Sequence, residues 1–193
     1  DMPAQGAQTV YVLELSSYQI DLLETLAPDV AVLTNLAPDH LDRHGDMAGY
    51  VAAKSRLFDM LAPHATAVIG CDDDESRTIA DALHSSGHQV RRIAASGDAD
   101  ICWRDGALMA GRDVLANLEK TPALRGAHNG QNAAAATAVL AALGHDMKNL
   151  QQALENFPGL AHRLQPVGAY ENRIFVNDSK ATNAEATRHA LAA

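Results

Sequence analysis

The sequence is poor in aromatic residues and in cysteine, and it has no apolar run long enough to cross a membrane. Aromatic residues make up 4% of the 193 residues, and Cys71 and Cys102 are its two cysteines. These two lie far apart without metal-ligand spacing, which favours a reducing compartment over a disulfide framework. A membrane-spanning helix needs about 20 apolar residues, and residues 1–6 lack the basic start of a signal peptide. We therefore expect a cytoplasmic protein with no membrane partner.

Basic residues are also scarce. Lys and Arg number 15 against 24 Asp and Glu, which gives a formal net charge of −9. Because no run of basic residues is present, the electrostatic footprint of a nucleic-acid-binding protein is missing. With 47% hydrophobic residues, the chain can bury a sizeable core. This composition favours an acidic globular protein with small-molecule partners, and we expect a monomer.

One familiar nucleotide-binding string does not occur. The phosphate-binding pattern Gly-x-x-x-x-Gly-Lys-Ser/Thr is absent from the sequence, so the loop that usually cradles nucleotide phosphates is missing. The sequence opens with a short polar segment before a predicted strand and stops at residues 189–193 inside a predicted helix that has no capping signal. We expect the chain to be one part of a longer protein.

Apolar runs typical of buried strands alternate with helical patterns along most of the chain. Continuous apolar runs predict parallel strands, and apolar positions with helical spacing predict the helices between them. The alternation predicts an α/β fold with a doubly wound, mostly parallel sheet flanked by helices. Strands are predicted at residues 9–15, 30–34, 66–70 and 89–94, hairpin strands between 99 and 118, and helices at 16–26, 46–62, 72–86, 126–143 and 148–156.

The helical pattern stops near residues 159–166, where we predict a domain boundary. We assign residues 1–160 to one domain and residues 161–193 to the start of a second domain, which begins with a predicted strand pair. The second strand of that pair leads into a polar turn at residues 177–183, just before another predicted helix. Turns from strand to helix are where α/β proteins present ligand-binding groups.

Several polar side chains follow the predicted strands at the edge where open α/β sheets bind ligands. Glu14 ends the first strand, and a carboxylate among apolar neighbours needs a partner such as Mg²⁺ or a nearby helix N-terminus; the residues alone favour neither. His40 follows the second strand, although a loop histidine is more often a surface residue. Lys54 lies within a predicted helix, where a lysine is normally solvated.

Two carboxamides open the alanine-rich helix. Asn129 and Asn132 are three residues apart and can face the same way. A carboxamide has both a donor and an acceptor, which suits the N6/N7 edge of adenine, but on spacing alone a helix cap is the better interpretation of Asn129. Arg163 lies at the predicted boundary, where its guanidinium can either reach ATP or form a hinge salt bridge.

Five strings in this order resemble the motifs of the Mur ligases. They are VLELSSYQ at 12–19, TNLAPDHLDRH at 34–44, GAHNGQNAAAA at 126–136, FPGLAHR at 157–163 and NDSKATN at 177–183. The last string discriminates best, because related ligases carry a different string at this turn. The resemblance implies an ATP-dependent amide ligase that adds D-glutamate to UDP-N-acetylmuramoyl-L-alanine. It implies that residues 1–160 are the central ATP-binding domain without its phosphate-binding loop, that residues 161–193 begin the C-terminal domain, and that this part is inactive alone. A ligase for another amino acid, or a nucleotide-binding protein without turnover, is the alternative.

The resemblance also implies roles for residues on the substrate side of the site. Glu14, His40 and Lys54 are the implied ligands of two Mg²⁺ ions, and His40 and Lys54 are also implied to be catalytic. In the family, the lysine of the matching Y-x-x-A-K string is carbamylated. Carbamylation requires a neutral amine and creates a carboxylate that can meet Mg²⁺. Ser16 and Thr182 are the implied substrate-binding residues, with Thr182 holding the incoming glutamate.

On the nucleotide side, the resemblance reverses the preference reached from spacing alone. It implies that Asn129 and Asn132 contact the adenine of ATP. It further implies that Arg163 and Asp178 bind the nucleotide and that Lys180 is catalytic.

Overall fold

The computed structural model describes residues 9–39, 41–119, 121–182 and 184–191, without the side chains of residues 184–186 and 189. The strands in these ranges are β1 Val30–Leu33, β2 Thr66–Gly70, β3 Gln89–Ala94, β4 Ile101–Arg104, β5 Ala107–Ala110, β6 Asp113–Asn117, β7 Gln165–Tyr170 and β8 Arg173–Asn177. The α-helices are α1 Ser17–Asp21, α2 Leu41–His44, α3 Met47–Asp59, α4 Asp74–Ser85, α5 Ala127–Ala142, α6 Leu150–Glu155 and α7 Ala184–Leu191, and a short 3-10 helix spans Pro122–Leu124.

Six of these strands form one mixed sheet in the order β1-β2-β3-β4-β5-β6. β1 to β4 pair in parallel, whereas β4, β5 and β6 form consecutive antiparallel hairpins. Helices form the crossovers that connect β1 to β2 and β2 to β3, whereas residues 95–100 connect β3 to β4 without a helix. The predicted α/β fold is confirmed, and so are the hairpin strands expected between residues 99 and 118.

A hydrophobic core lies on each face of this sheet. All five residues of β2 are buried, and successive strand residues point to opposite faces. Val68 packs in the cluster that includes the alanine-rich helix α5. Ala67 and Ile69 pack in the other cluster, with Tyr50 and Phe58 of α3 and with α4. Burial on both faces explains why the strand reads as an unbroken apolar run.

The strand predicted at residues 9–15 is wrong. These residues have no regular secondary structure, and their apolar side chains are exposed, with Val12 at 89% and Leu13 at 54%. Residues of high β propensity stabilise a strand when their side chains pack on a pleated, half-buried surface. This segment lacks such a surface, since none of the described strands pairs with it. The helix that follows is also shorter than predicted, since α1 ends at Asp21. The short helix α2 lies between the predicted strand at 30–34 and the predicted helix at 46–62.

The predicted strand pair near the end of the chain is confirmed as a separate two-stranded sheet. β7 and β8 are antiparallel, with Gln165 opposite Asn177 and Tyr170 opposite Arg173. The division into residues 1–160 and 161–193 stays a prediction. No helix of the described part combines the length and the apolar character needed to cross a membrane.

Candidate functional site

Lys54 lies on α3, half-buried, near two carboxylates. Burial lowers the pKa of its amine, and the negative charges of Asp39 and Glu14 raise that pKa by a smaller amount. The amine also lies 5.9 Å from the centre of the Tyr50 ring. The structure therefore brings Glu14 and Lys54, two of the predicted site residues, within electrostatic reach of each other. Asp39 is a neighbour that the sequence analysis did not select, although it stands beside His40 in the same string.

The segment that carries Lys54 is fixed to α1 through a histidine. His44 Nε2 lies 2.9 Å from the hydroxyl of the buried Ser17. The His44 ring packs against the rings of Tyr18 and Tyr50, at centroid distances of 5.8 Å and 5.6 Å. Polar and aromatic contacts of this kind hold α1, α2 and α3 in one arrangement. Sequence reasoning missed His44, whose only signal is its place at the end of the TNLAPDHLDRH string.

Ser16 has a structural partner. Its hydroxyl accepts a hydrogen bond from the backbone N–H of Gln19, 3.3 Å away, and the Gln19 side chain accepts one from the backbone N–H of Ser16. This reciprocal pair is a capping box, which satisfies donors at the start of α1. A substrate-binding role for Ser16 stays a prediction. A substrate that binds the Ser16 hydroxyl would have to share it with the backbone N–H of Gln19.

The predicted Mg²⁺ ligands are described only in part. His40 lies outside the described residues, and those residues contain no group of three His, Cys, Asp or Glu side chains close enough to hold a metal ion. Glu14 and Asp39 nevertheless place two carboxylates around Lys54. Carboxylate oxygens are the ligands that Mg²⁺ prefers, so the donor chemistry present fits that ion.

A cavity of about 580 Å³ lies between α5, α6 and the segment that leads into and out of the second sheet. Its volume is in the usual range for small-molecule sites, and most of its wall is apolar. The polar groups on the wall include every predicted nucleotide-side residue, namely Asn129, Asn132, Arg163, Asp178 and Lys180. The structure thus assembles side chains from strings that are up to 51 residues apart in sequence (129 to 180). Thr182 does not line this cavity and is exposed beyond the turn.

The two asparagines are linked to each other. The Asn132 amide nitrogen is 3.5 Å from Asn129 Oδ1, and the Asn129 amide nitrogen donates to the carbonyl of Arg125 at 2.8 Å. The N-cap position of α5 belongs to Gly126, so a capping role for Asn129 is wrong. Asn129 is instead oriented by Arg125, and it orients Asn132 on the cavity wall.

The turn at residues 177–180 is held against the loop before β7. The backbone N–H of Leu164 donates to Asp178 Oδ1 at 2.9 Å, and the N–H of Lys180 donates to the carbonyl of His162 at 3.1 Å. These bonds place Asp178 and Lys180 beside Arg163 at one end of the cavity. The ion pairs found among the described residues do not include Arg163. The hinge salt bridge considered for it is therefore not formed with any described residue.

Comparisons with known proteins identify relatives of this chain. Residues 1–140 match the family model described as Mur ligase middle domain. The UDP-N-acetylmuramoylalanine–D-glutamate ligase of Nitrobacter hamburgensis is 48% identical over 190 residues, which is 94% of this chain and 40% of that protein. The ligase of the same name from Brucella abortus is 47% identical over 195 residues, 96% of this chain and 40% of that protein. The chain spans about two-fifths of the length of these relatives.

Solved structures show the same fold. MurF from Acinetobacter baumannii has a TM-score of 0.71 at 24% identity, covering 90% of this chain and 38% of that one. MurF from Thermotoga maritima, solved in complex with ADP, has a TM-score of 0.67 at 19% identity, covering 86% of this chain and 38% of that one. At these identities the likeness concerns the fold.

Proposed function

The chain belongs to the Mur ligase family, and from this premise we propose that it is part of an ATP-dependent ligase that joins D-glutamate to UDP-N-acetylmuramoyl-L-alanine in peptidoglycan biosynthesis. The substrates follow from relatives of that name at 47–48% identity. The observation that carries the proposal is the cavity whose wall combines Asn129, Asn132, Arg163, Asp178 and Lys180. That combination offers an apolar surface and amide groups to a base, and charged groups to a ribose and phosphates.

The proposed reaction has two steps. The terminal carboxylate of UDP-N-acetylmuramoyl-L-alanine attacks the γ-phosphorus of ATP, and ADP leaves with the electrons of the broken P–O bond. The amine of D-glutamate then attacks the acyl carbon of the resulting acyl phosphate, phosphate leaves, and the amine loses a proton as the amide forms. Because an acyl phosphate hydrolyses in water, the site must close around it.

On the nucleotide side, the residues of this chain bind and orient. Asn132, held by Asn129, presents an amide to the base. The guanidinium of Arg163 and the amine of Lys180 offset negative charge on the nucleotide and on the phosphoryl group that is being transferred. This charge compensation stabilises the transition state. Asp178 keeps the turn in place by accepting the N–H of Leu164 and can also receive a ribose hydroxyl.

On the acceptor side, the proposal assigns Glu14, His40 and Lys54 to two Mg²⁺ ions. Bound Mg²⁺ would supply charge neutralisation to the phosphoryl group. The lowered pKa of the Lys54 amine favours its neutral form, which carbamylation requires. Ser16 at the start of α1 and Thr182 beyond the turn would contact substrate, with Thr182 holding D-glutamate.

The proposal also covers the cellular location and the oligomeric state. We expect the full-length protein to work in the cytoplasm and to be a monomer. Sedimentation of the full-length protein measures its oligomeric state directly, and a dimer would contradict that part of the proposal without affecting the reaction.

Phosphate release by the full-length protein tests the function. The reaction contains ATP, Mg²⁺ and UDP-N-acetylmuramoyl-L-alanine, with or without D-glutamate. We expect release to depend on D-glutamate and not on L-glutamate, L-lysine or meso-diaminopimelate. Dependence on one of the other amino acids would assign a different ligase activity. Release that depends on no amino acid would contradict the ligase proposal and leave a nucleotide-binding protein.

A further inference from the structure

Asp72 links three parts of the fold just after β2. Its carboxylate accepts the backbone N–H groups of Ala95 and Ser96 at 2.7 Å and 3.0 Å, and the Ser96 hydroxyl at 3.2 Å. It also accepts the side-chain N–H of Gln131 on α5 at 2.6 Å. A single carboxylate therefore connects the end of β2, the loop after β3 and the first turns of α5. None of these residues has been given a role in the proposed site so far.

Gln131 stands between the two cavity asparagines in sequence and faces away from them. It is 6% exposed and is not part of the cavity wall, whereas Asn129 and Asn132 are. Successive residues of an α-helix are rotated by about 100° around its axis. Gln131 therefore points toward the sheet, whereas Asn129 and Asn132 point toward the cavity. A Cβ added at Gly70 would lie 2.9 Å from Gln131 Nε2, so the Gln131 amide is seated directly over the end of β2.

The start of α5 is not fixed by an N-cap side chain. Its N-cap residue, Gly126, has no side chain to bond the first turn. At Gly130 the helix backbone packs closely against Trp103, because a Cβ added there would lie 2.7 Å from Trp103 Cβ. The Asp72–Gln131 hydrogen bond is a polar contact that ties α5 to the sheet and so opposes rotation of α5 about its axis at the level of Asn129 and Asn132. A small rotation would move both amides along the cavity wall.

We propose that Gln131 and Asp72 are positioning residues that set how the Asn129–Asn132 pair meets the purine base, and thereby set the preference for adenine. This inference rests on the proposed function, in which those asparagines face the base of ATP. Adenine offers a donor at N6 and an acceptor at N7 to an amide. Hypoxanthine has an acceptor at the 6-position and a donor at N1, whereas the ribose and the triphosphate of ITP are those of ATP. A correctly placed amide therefore distinguishes ATP from ITP at the base. Hydrogen bonds weaken steeply when the angle is poor, so discrimination depends on placement.

Steady-state kinetics of the full-length ligase with ATP and with ITP test this. We expect Gln131→Met to raise KM for ATP and to lower the ATP/ITP ratio of kcat/KM by about tenfold, the effect of one misplaced hydrogen bond. We expect kcat at saturating ATP to stay within about twofold, since the charged groups are untouched. Asp72→Asn keeps an acceptor oxygen and should give a smaller change in the same direction than Asp72→Ala.

A matched control is available at another amide that joins two elements. Gln151 of α6 donates to the Asn117 carbonyl at 2.9 Å and accepts the Asn117 N–H at 2.7 Å. Gln151→Met is the same substitution and should reduce thermal stability without changing the ATP/ITP ratio. If Gln131→Met does not fold, Asp72→Asn and Asp72→Ala decide, because Asp72 is exposed and its replacement leaves the core intact.

The outcomes separate the inference from the proposed function. The double variant Asn129→Leu with Asn132→Leu should abolish most of the ATP preference. If it does and Gln131→Met changes the ratio no more than Gln151→Met, the positioning role is overturned and the base site stands. If the double variant leaves the ratio unchanged, the base contact itself is wrong and the inference falls with it.

Discussion

Burial changes the chemistry of the Lys54 amine. Its pKa is lowered by burial, against a smaller upward effect of Asp39 and Glu14. Lysine is neutral above its pKa, so Lys54 becomes neutral at a lower pH than an ordinary lysine. Only the neutral amine captures CO₂. In ¹³C NMR spectra recorded with labelled bicarbonate at mildly alkaline pH, we predict a carbamate resonance that disappears in Lys54→Gln.

An exposed lysine provides the comparison. The side chain of Lys148 is 85% exposed and lies 2.9 Å from Asp146. Lys148→Gln should therefore leave the carbamate resonance unchanged. Because the neutral fraction of Lys54 grows as pH rises toward its pKa, the resonance should also strengthen from neutral to mildly alkaline pH. A resonance that persists in Lys54→Gln would show that another amine carries the carbamate.

What the sequence reveals about single residues depends on how far apart the partners are. Compact strings are enough to predict Asn129, Asn132, Asp178 and Lys180 as site residues, and the structure places all four around one cavity. The Asp72–Gln131 hydrogen bond spans 59 residues, and nothing local marks either member. The topology of the sheet brings such distant residues together. The composition of the sequence and the spacing of its residues therefore do not predict this hydrogen bond.

Among the elements, α4 begins at an N-cap residue, Asp73, that also contacts the loop after β1. Asp73 caps it by accepting the N–H of Ser76 at 2.7 Å. The same carboxylate accepts the hydroxyl of the fully buried Ser76 at 2.9 Å and the N–H of Leu36 at 3.1 Å. Asp46 caps α3 more simply, through the N–H of Gly49 at 2.8 Å.

We predict different losses of stability for the two caps. Asp46→Ala should lower the free energy of unfolding by about 1 kcal/mol, the usual value of an N-cap. Asp73→Ala should lower it by about 2 to 3 kcal/mol, because it also leaves a buried hydroxyl without its partner. Urea denaturation of the two variants measures the difference. Equal losses would mean that water replaces the carboxylate at Ser76 and Leu36.

Elements were predictable from the sequence where burial on both faces leaves one interpretation. β2 has the predicted bounds, Thr66–Gly70, and all five of its residues are buried. β3 also has its predicted bounds, Gln89–Ala94, although only Ile93 and Ala94 are buried there. Residues 9–15 have the same kind of apolar run and form no strand. A strand needs a neighbouring strand that pairs with its backbone as well as a high β propensity. Among the described strands, none pairs with residues 9–15.

At the scale of the whole molecule, the cavity depends on two parts of the chain that fold around different sheets. One wall is α5, packed on the six-stranded sheet. The other includes the loop before β7 and the turn after β8, which are joined by the N–H bonds of Leu164 and Lys180. No local pattern predicts a cavity of this kind, because its shape follows from how two separate segments meet.

A nucleotide that fills this cavity should therefore slow motion on both walls. We predict that ATP slows amide hydrogen exchange in the full-length protein at residues 126–132 and also at Leu164 and Lys180, because binding to the folded form raises the free energy of local opening. Asn132→Leu should reduce the protection on both walls together, while Gln151→Met should retain it. Protection confined to one wall would mean that the base binds α5 without bridging to the turn after β8, and the assignment of Asp178 and Lys180 to the nucleotide would then be wrong.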